Sequence, residues 1–419
     1  MKSWQAVLFI IVVSAVLTMM DLPPDTWFTM ATLSLVCGVA ALALMGAAAS
    51  LSSRSLVVER IFGGLDRVYA VHKWLAVFAL TLASVHLMFK AGVRSWEVAP
   101  IVALPSDWTR FVRQASFVAL MVIVLLALNR NIPYKQWRWW HRLSGPLFLI
   151  VIAHWLSIKS PVEISSPAGL WLALWAALGV LCAAYKLVLY PFVAKHGHYR
   201  VASVLRGNAA ARIELAPVSR QVDFRPGSFG FLRMRVDGLR EPHPFTIASA
   251  PSAAGHIVFV VRALGDYTSQ LVARVEPGMH ADVYGPYGLF QRKPESDREI
   301  WIGGGVGISP FLAWLKDQDA DRFGQVTLFY FYTPGRAFPL ADELRPLAQE
   351  RGIEFIPLDS GPNSPVFRLR FAEIAQSAEG TALDIAVCGP AGLLDKVRDI
   401  AREVGIDTRR IRSEMFSFR

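Results

Sequence analysis

Six long apolar stretches in the first 190 residues constrain the fold of this chain more than any other feature. Their approximate bounds are residues 4–20, 29–51, 69–89, 111–128, 142–158 and 168–190. A helix that crosses a membrane needs about 20 mostly apolar residues, so each stretch is long enough for one span. After His196 the chain carries regular charges and Gly/Pro turns. The sequence therefore predicts a six-helix transmembrane bundle over residues 1–195, followed by a water-soluble half.

Basic residues in the short loops predict the orientation of this bundle. One loop holds Arg54, Arg60 and Arg67, and another holds Arg130, Lys135 and Arg138. Short loops rich in Lys and Arg stay on the cytoplasmic side, so both termini and the soluble half are expected in the cytoplasm. The segment TMMDLPP after the first stretch has no small-residue cleavage site. This favours a retained first helix over a cleaved signal peptide.

Charge and cysteine content exclude some classes of protein. The net charge of +10 is largely explained by basic loops beside a lipid bilayer, so we expect no nucleic-acid partner. The three cysteines, Cys37, Cys182 and Cys388, are too few for a disulfide framework or a thiolate metal cluster.

Four histidines lie within or beside the apolar stretches, which is unusual because a polar ring at membrane depth is costly. His72 and His86 belong to the third stretch, and His141 and His154 frame the fifth. With the predicted orientation, His72 lies level with His141 on the cytoplasmic side, and His86 lies level with His154 on the far side. The two levels are separated by about 20 Å, which fits within a bilayer core. One such histidine would most simply be a hydrogen-bonded structural residue, but two matched pairs favour metal ligands.

The pairing suits haem iron held from both faces better than zinc, which prefers four clustered ligands. The spacing of the second pair raises a geometric difficulty. Fourteen residues nearly return a helix to its starting face, whereas the thirteen between His141 and His154 leave it about 140° away. The fifth helix must therefore distort or present its ligands on different sides, and Gly145-Pro146 is a candidate kink.

The soluble half has two patterns. Residues 199–290 contain short β-rich runs separated by turns, which predicts an antiparallel barrel. From residue 298 strands and helices alternate, which predicts a parallel sheet that binds a nucleotide at its strand ends. The first of these strands leads into GGGVGISP, in which the glycines permit a tight turn, Ser309 is expected to cap the next helix and Pro310 to begin it. The glycines are Gly303, Gly304, Gly305 and Gly307.

The segment FYTPGR at the end of the next strand indicates the choice of nucleotide. It has no carboxylate to bind the 2′-hydroxyl of NAD, and it ends in Arg336. An arginine at this place favours the 2′-phosphate of NADP, although a merely exposed arginine is the alternative. We therefore expect NADPH.

Histidines spaced by fourteen and thirteen residues on the third and fifth helices resemble the NADPH oxidase and ferric reductase superfamily. That resemblance implies two b-type haems, with ligands His72, His86, His141 and His154. It also implies a cytosolic module like ferredoxin reductase, comprising an FAD-binding barrel and an NADPH-binding α/β domain. The expected domains are residues 1–195, 196–294 and 295–419. The expected location is a bacterial inner membrane, which the chain crosses several times.

The same resemblance implies roles for residues of the soluble half. In HPFT, His243, Pro244, Phe245 and Thr246 would hold FAD, with Thr246 beside the reactive flavin nitrogen. Gly265 and Thr268 would approach the FAD pyrophosphate. Cys388, Gly389 and Pro390 would lie beside the nicotinamide, although Cys388 alone also suits a plain core position. Phe416 is preferred to Phe418 as the aromatic residue that covers the flavin.

The predicted activity is electron transfer from NADPH through FAD and the two haems to an acceptor outside the cytoplasm. Oxygen, giving superoxide, is preferred. Lys90, four residues after His86, is the candidate for stabilising the anion. Phagocyte-type oxidases also supply an arginine from the second helix, and residues 29–51 contain none. A ferric chelate or a periplasmic reductase that accepts electrons therefore remain the alternatives.

Overall fold

The fold is that of a computed structural model, which describes residues 3–129, 131–132, 134–293, 295–318, 320, 323–336, 341–378 and 382–414. The chain forms two compact units, one ending at Ala194 and the other beginning at Lys195. The helices of the first unit are α1 (Ser3–Met20), α2 (Met30–Leu51), α3 (Leu56–Phe62), α4 (Leu65–Met88), α5 (Ser106–Leu128), α6 (Tyr134–His141), α7 (Ser144–Ser157), α8 (Pro167–Ala184) and α9 (Tyr190–Val193). A π-helical turn, Tyr185–Leu189, joins α8 to α9.

Helices occupy all six of the predicted apolar stretches. Within the described residues, four of them are long and apolar enough to cross a membrane: Met30–Leu51, Leu65–Met88, Ser106–Leu126 and Pro167–Leu189. The helices in the other two stretches, α1 and α7, are shorter. The structure therefore supports a membrane-spanning unit with four long spans, and the count of six stays a prediction.

Helix α2 packs closely against α8 because glycines face each other at their contact. A Cβ atom on Gly46 would lie 2.5 Å from the backbone oxygen of Trp175, and one on Gly179 would lie 3.1 Å from the Cα atom of Gly46. Small residues let helix backbones approach each other in a membrane, where the hydrophobic effect does not drive packing. This contact fixes α2, most of whose residues are buried.

The fifth apolar stretch is broken rather than continuous. Helix α6 ends at His141, and α7 begins at Ser144. Pro146 is the third residue of α7, where its missing N–H removes no helical hydrogen bond. The break precedes the Gly145-Pro146 pair that the sequence suggested as a kink. It resolves the thirteen-residue difficulty because His141 and His154 lie on separate helices.

The second unit begins with an antiparallel sheet, as predicted. Its strands are β1 (His196–Gly207), β2 (Ala210–Pro217), β3 (Phe229–Met234), β4 (His243–Thr246), β5 (Ile257–Arg262) and β6 (His280–Tyr287). Their order is β4-β3-β6-β1-β2-β5, and a bridge between Ile247 and Phe259 connects the two edges. The sheet is therefore barrel-like, and its interior is filled by side chains such as Tyr199, Leu232 and Phe259. Helix α10 (Asp266–Arg274) follows β5.

A five-stranded parallel sheet follows, again as predicted. Its strands are β7 (Arg298–Gly304), β8 (Gln325–Phe331), β9 (Glu354–Leu358), β10 (Leu383–Cys388) and β11 (Ile411–Glu414). The connecting helices are α11 (Ser309–Leu315), α12 (Ala341–Glu350), α13 (Pro365–Ser377) and α14 (Ala391–Glu403). The strand order is β11-β10-β7-β8-β9, so β7 and β10 are neighbours. Strand β7 leads into the glycine loop (residues 303–307), and β10 leads into Cys388-Gly389-Pro390, here called Cys-Gly-Pro.

One apolar core joins the barrel to the parallel sheet. Phe290, which follows β6, stacks on Trp314 of α11 with ring centres 5.2 Å apart. Ala248 and Val258 of the barrel belong to the same buried cluster as Trp301 of β7. This shared core packs β7 and β10 against the barrel.

Candidate functional site

The four membrane histidines form two pairs, as their spacing predicts. The rings of His72 and His141, here called the inner pair, have centres 5.9 Å apart. The rings of His86 and His154, the outer pair, have centres 6.5 Å apart. His72 and His86 lie on the continuous helix α4, so the pairs are stacked about 20 Å apart along it. The names follow the predicted cytoplasmic side.

Backbone carbonyls of α2 fix the protonation pattern of two of these rings. The Nδ1 atom of His72 lies 2.8 Å from the oxygen of Ala48, and that of His86 lies 2.8 Å from the oxygen of Ser34. A carbonyl oxygen only accepts hydrogen bonds, so each Nδ1 atom must be the donor. In the neutral ring the lone pair is then on Nε2, the state in which imidazole binds a metal.

The pairs fit a haem iron bound on both faces. Two imidazoles that bind one metal atom through bonds of about 2 Å hold their ring centres roughly 6 Å apart, close to both observed separations. The Nδ1 atoms of His141 and His154 are buried and have no hydrogen-bond partner among the described residues. In the same part of the chain, no three His, Cys, Asp or Glu side chains group as a metal site. The arrangement therefore provides two two-ligand sites rather than one cluster.

Trp137 is a residue of the inner site that the sequence did not single out. Its ring stacks on His141, with centres 5.1 Å apart and planes at 11°. Trp137 belongs to the segment WRWW, a pattern typical of an aromatic belt at a membrane interface. The stacking gives Trp137 the further role of fixing the ring plane of His141.

The structure changes the argument for Lys90. Helix α4 ends at Met88, and Phe89 is extended with φ −120° and ψ 143°. Lys90 therefore does not share a helix face with His86, and its role stays a prediction.

Arg113 of α5 instead lies within electrostatic range of His154. Arg113 is exposed, and three residues that follow it at helical spacing, Ser116, Leu120 and Val124, are buried.

The HPFT segment forms β4, which pairs with β3 from His243 to Thr246. The ring of His243 stacks on Tyr267 at 3.6 Å between centres, and its Nε2 atom lies 3.5 Å from a carboxylate oxygen of Glu241. Burial raises the pKa of the Tyr267 hydroxyl, and Glu241 adds to that effect, so the phenol stays protonated. This stack joins β4 to the start of α10, the two segments predicted to hold FAD.

Gly265 precedes α10 and borders open space. A Cβ atom there would meet nothing within 4 Å, and its φ of −154° is extended backbone that any residue adopts. Neither packing nor conformation requires glycine, which suits a position kept bare for a ligand. The hydroxyl of Thr268 accepts hydrogen bonds from the N–H groups of Leu264 and Gly265, at 2.9 and 3.1 Å. Thr268 thus caps the helix that would face a pyrophosphate.

The glycine loop is compact for two reasons. Gly305 has a φ of +56°, which disfavours other residues. A Cβ atom on Gly307 would lie 2.3 Å from the backbone oxygen of Cys388, and Gly303 and Gly304 are also closely packed. The loop therefore lies directly against Cys-Gly-Pro, and a Cβ atom on Gly389 would lie 3.2 Å from the Cα atom of Gly304.

The prediction that Ser309 caps the next helix was wrong. Residues Gly305–Ile308 form a 3-10 turn that continues into α11, so Ser309 is already helical. Its hydroxyl donates to the oxygen of Val306 at 2.7 Å instead. Pro310 is in the first turn of α11, as expected, and Pro390 immediately precedes α14.

Thr246, Cys388 and Glu414 meet where the barrel faces the parallel sheet. The hydroxyl of Thr246 donates to a carboxylate oxygen of Glu414 at 3.4 Å. Cys388 pairs with Glu414 on one side and with Gly303 on the other. Burial, reinforced by the charge of Glu414, raises the pKa of the Cys388 thiol, so it is a neutral thiol near pH 7. Sequence reasoning missed Glu414, although it stands two residues before Phe416.

Arg336 and Phe416 are the last two of the residues predicted to bind NADPH and FAD. Arg336 is exposed in a turn after β8. Its backbone oxygen accepts a hydrogen bond from Arg262, and Asn208 donates to the oxygen of Gly335 at 2.8 Å. Barrel residues thus fix the loop while the Arg336 side chain stays accessible. Phe416 and Phe418 lie outside the described residues.

Comparisons with known proteins find matches in both halves of the chain. Residues 37–152 match the family of ferric reductase like transmembrane components, and residues 201–300 match an FAD-binding domain family. A probable cell surface ferric reductase of Aspergillus oryzae is 25% identical over 310 residues, which are 68% of this chain and 40% of that protein. Dual oxidase 2 of Homo sapiens is 23% identical over 297 residues, which are 60% of this chain and 18% of that protein.

The chain spans less than half of the length of these two relatives. Among solved structures, a ferredoxin NADP+ reductase from Neisseria gonorrhoeae with bound FAD and NADP is 19% identical, with a TM-score of 0.44. The match covers 53% of this chain and 98% of that one. Residues 37–152 therefore resemble a ferric reductase like transmembrane component and residues 201–300 an FAD-binding domain, and the relatives of the chain include a ferric reductase and a dual oxidase.

Proposed function

We propose that the chain transfers electrons from NADPH, through FAD and two b-type haems, to an acceptor on the far side of a bacterial inner membrane. The observation that carries the proposal is the two stacked imidazole pairs, 5.9 and 6.5 Å between ring centres. Their hydrogen bonds to Ala48 and Ser34 leave Nε2 lone pairs available on α4. Bound FAD would supply the chemistry that converts the two electrons of a hydride into single electrons for haem.

The chain's own residues supply positions and protons for this chemistry. The glycine loop and Cys-Gly-Pro form a bare surface at the ends of β7 and β10, where the nicotinamide end of NADPH would lie. The Thr246 hydroxyl, which donates to Glu414 at 3.4 Å, would keep its lone pairs available to accept a hydrogen bond from the flavin. Cys388 is a neutral thiol and therefore adds no negative charge where the nicotinamide would lie. Arg336 is the proposed partner of the 2′-phosphate.

Oxygen is the acceptor that we propose. Superoxide is an anion, so a cation beside the outer pair would stabilise it as it forms. Arg113, which is exposed, lies within electrostatic range of His154. It takes the place of the second-helix arginine that this sequence lacks. Lys90, two residues after the end of α4, is a further candidate.

A ferric chelate is the second candidate acceptor. The specific observation in its favour is the similarity over 68% of the chain to a probable cell surface ferric reductase. Ferric chelates are often anionic, so Arg113 would assist this reaction as well. Arg113 alone therefore does not distinguish the two acceptors.

NADPH-driven reduction of cytochrome c, measured with and without superoxide dismutase, tests the proposal. The protein would be purified in detergent and supplied with haem and FAD. We expect strong inhibition by dismutase, because superoxide would carry the electrons. The His86→Ala variant, which removes one ligand of the outer pair, serves as the matched control and should lose the activity.

Reduction that dismutase does not affect would contradict oxygen as the acceptor and would favour the ferric chelate instead. Wild-type activity in His86→Ala would contradict the route through the outer pair. A two-haem spectrum that survives both His72→Ala and His86→Ala would contradict the ligand assignment itself.

A further inference from the structure

The chain turns sharply after β8, over residues 333–336, which we call the TPGR turn. The N–H of Arg336 donates to the oxygen of Thr333 at 2.9 Å, and Gly335 has a φ of +70°. Pro334 followed by a glycine with positive φ at the two central positions is the pattern of a type II turn. The turn therefore fixes the N–H of Arg336, whose side chain is exposed.

Two barrel residues hold the carbonyl groups of this turn. The Nδ2 atom of Asn208 donates to the oxygen of Gly335 at 2.8 Å, and the guanidinium of Arg262 donates to the oxygen of Arg336. Both acceptors are backbone atoms, so these bonds fix the course of the chain and leave the Arg336 side chain accessible. A Cβ atom on Gly335 would meet no described atom within 4 Å, so the described residues leave open space beside the turn.

The hairpin between β1 and β2 fixes Asn208 itself. Asn208 and Ala209 are the two-residue loop of this hairpin. Ala209 has a φ of +54°, which residues other than glycine rarely adopt, and its oxygen accepts a hydrogen bond from the N–H of Ala263 at 2.9 Å. Because Ala263 directly follows Arg262, the hairpin loop and the end of β5 form one support for the TPGR turn.

Arg336 is the proposed partner of the 2′-phosphate of NADPH, and its reach depends on where its backbone is held. A turn without outside support would have to become ordered when the nucleotide binds, which lowers affinity. We propose that Asn208 is a positioning residue for Arg336, and that it increases the preference for NADPH over NADH by holding the TPGR turn in place before the nucleotide binds. This inference rests on the proposed function, in which NADPH is the electron donor.

A bond that only stabilised the packing of the barrel against the parallel sheet would have a different effect. Its loss would weaken the binding of NADPH and NADH alike, because the two nucleotides share every group except the 2′-phosphate. An effect that acts through Arg336 is confined to NADPH. The ratio of the two activities therefore separates positioning from packing.

The test compares kcat/KM for NADPH and NADH in the purified full-length protein loaded with FAD and haem. The variants are Asn208→Ala, Asn208→Gly and the control Ser219→Ala, whose serine is exposed beyond the opposite end of β2. One neutral hydrogen bond changes an equilibrium about three- to tenfold. We expect both Asn208 variants to lower kcat/KM for NADPH by that factor through a higher KM, with kcat retained. Their values for NADH, and both values for Ser219→Ala, should match the wild type.

A double-mutant cycle shows whether Asn208 acts through Arg336. In the Arg336→Ala background, Asn208→Ala should not lower kcat/KM for NADPH further, because the side chain that it positions is gone. Isothermal titration calorimetry with adenosine 2′,5′-bisphosphate gives a readout that is independent of turnover. Its affinity should be about three- to tenfold weaker in Asn208→Ala, whereas the affinity for AMP should be unchanged.

Equal losses with NADPH and NADH would overturn the inference, as would additive losses in the cycle or an unchanged affinity of Asn208→Ala for the bisphosphate. A wild-type protein that does not prefer NADPH, or that keeps its preference in Arg336→Ala, would refute the proposed NADPH site and this inference with it. A preference lost in Arg336→Ala but kept in Asn208→Ala would refute this inference alone, which distinguishes the two failures.

Discussion

The Nδ1 atoms of His72 and His86 show how a single backbone carbonyl can fix which nitrogen of a histidine ring is protonated. Each ring donates to a carbonyl of α2, 24 or 52 residues away along the chain. The spacing of the histidines predicted their pairing, but nothing in the sequence indicated these partners. The reason is physical, since a hydrogen bond between helices depends on how the helices pack and not on local periodicity.

The raised pKa of the Cys388 thiol can be tested by measuring how fast the thiol is alkylated. Alkylation requires the thiolate, and burial together with Glu414 raises the pKa of this thiol. We therefore expect slow reaction with iodoacetamide at pH 8. Replacing Glu414 by Gln removes a negative charge, lowers the pKa of Cys388 and should accelerate alkylation severalfold. Peptide mass spectrometry would measure the rate at this cysteine.

The control for that experiment is Glu403→Gln, which alters a half-exposed glutamate paired with Arg368. It should leave the alkylation rate of Cys388 unchanged. Fast alkylation of the wild-type protein at pH 8 would contradict the neutral, buried thiol.

Arg336 allows the choice of nucleotide to be tested. A hydrogen bond to a charged group contributes about 1.5–3 kcal/mol, so Arg336→Ala should lower kcat/KM for NADPH about 10- to 100-fold. The value for NADH should barely change. The backbone oxygen that Arg262 contacts is retained in this variant, which keeps the loop in place. Equal losses with both nucleotides would argue against a 2′-phosphate site.

At the scale of elements, the broken fifth stretch shows the limit of periodicity. The sequence predicted one distorted helix from 142 to 158, and the structure has α6 and α7 with a turn between them. Apolar periodicity identifies a membrane segment, but it does not locate a break of two residues. The thirteen-residue spacing of His141 and His154 nevertheless indicated that some distortion was needed.

The contact between α2 and α8 can be tested with Gly46→Val. The added side chain would collide with the backbone oxygen of Trp175, 2.5 Å from the Cβ position, and backbone cannot rotate away as a flexible side chain can. Overpacking of this kind costs about 1–3 kcal/mol. Because α2 carries the carbonyls that orient His72 and His86, we expect a lower haem-to-protein ratio and a lower Tm.

Gly92→Val is the matched control, since a Cβ atom at Gly92 would meet nothing within 4 Å. It should retain haem and stability, as measured by the pyridine haemochrome spectrum and thermal unfolding. A normal haem content in Gly46→Val would show that α2 can shift without disturbing the ligand pairs.

At the scale of the whole molecule, the two compact units divide the proposed chemistry. The unit that ends at Ala194 holds both histidine pairs, and the unit that begins at Lys195 holds the barrel and the parallel sheet. The change in hydropathy after residue 190 predicted this division. The sequence also predicted the order of strands and helices, because barrel and parallel-sheet patterns differ in period.

An anaerobic NADPH titration tests whether both units work in one chain. A loaded protein with one FAD and two haems should accept about four electrons, or two NADPH per chain, since each NADPH donates two. His86→Ala should accept about three electrons because one haem is lost. Uptake of only two electrons by the wild type would show that the flavin and the haems are not connected.

The sequence by itself determined the apolar spans, the levels of the four histidines and the order of nucleotide-binding motifs. These features depend on residues that are close along the chain, where helix and strand periods are fixed by backbone geometry. Only the tertiary structure brought Glu414 to Thr246 and Cys388, and Arg113 to His154. These contacts join residues 26 to 168 positions apart, and they depend on how the elements pack around a shared core.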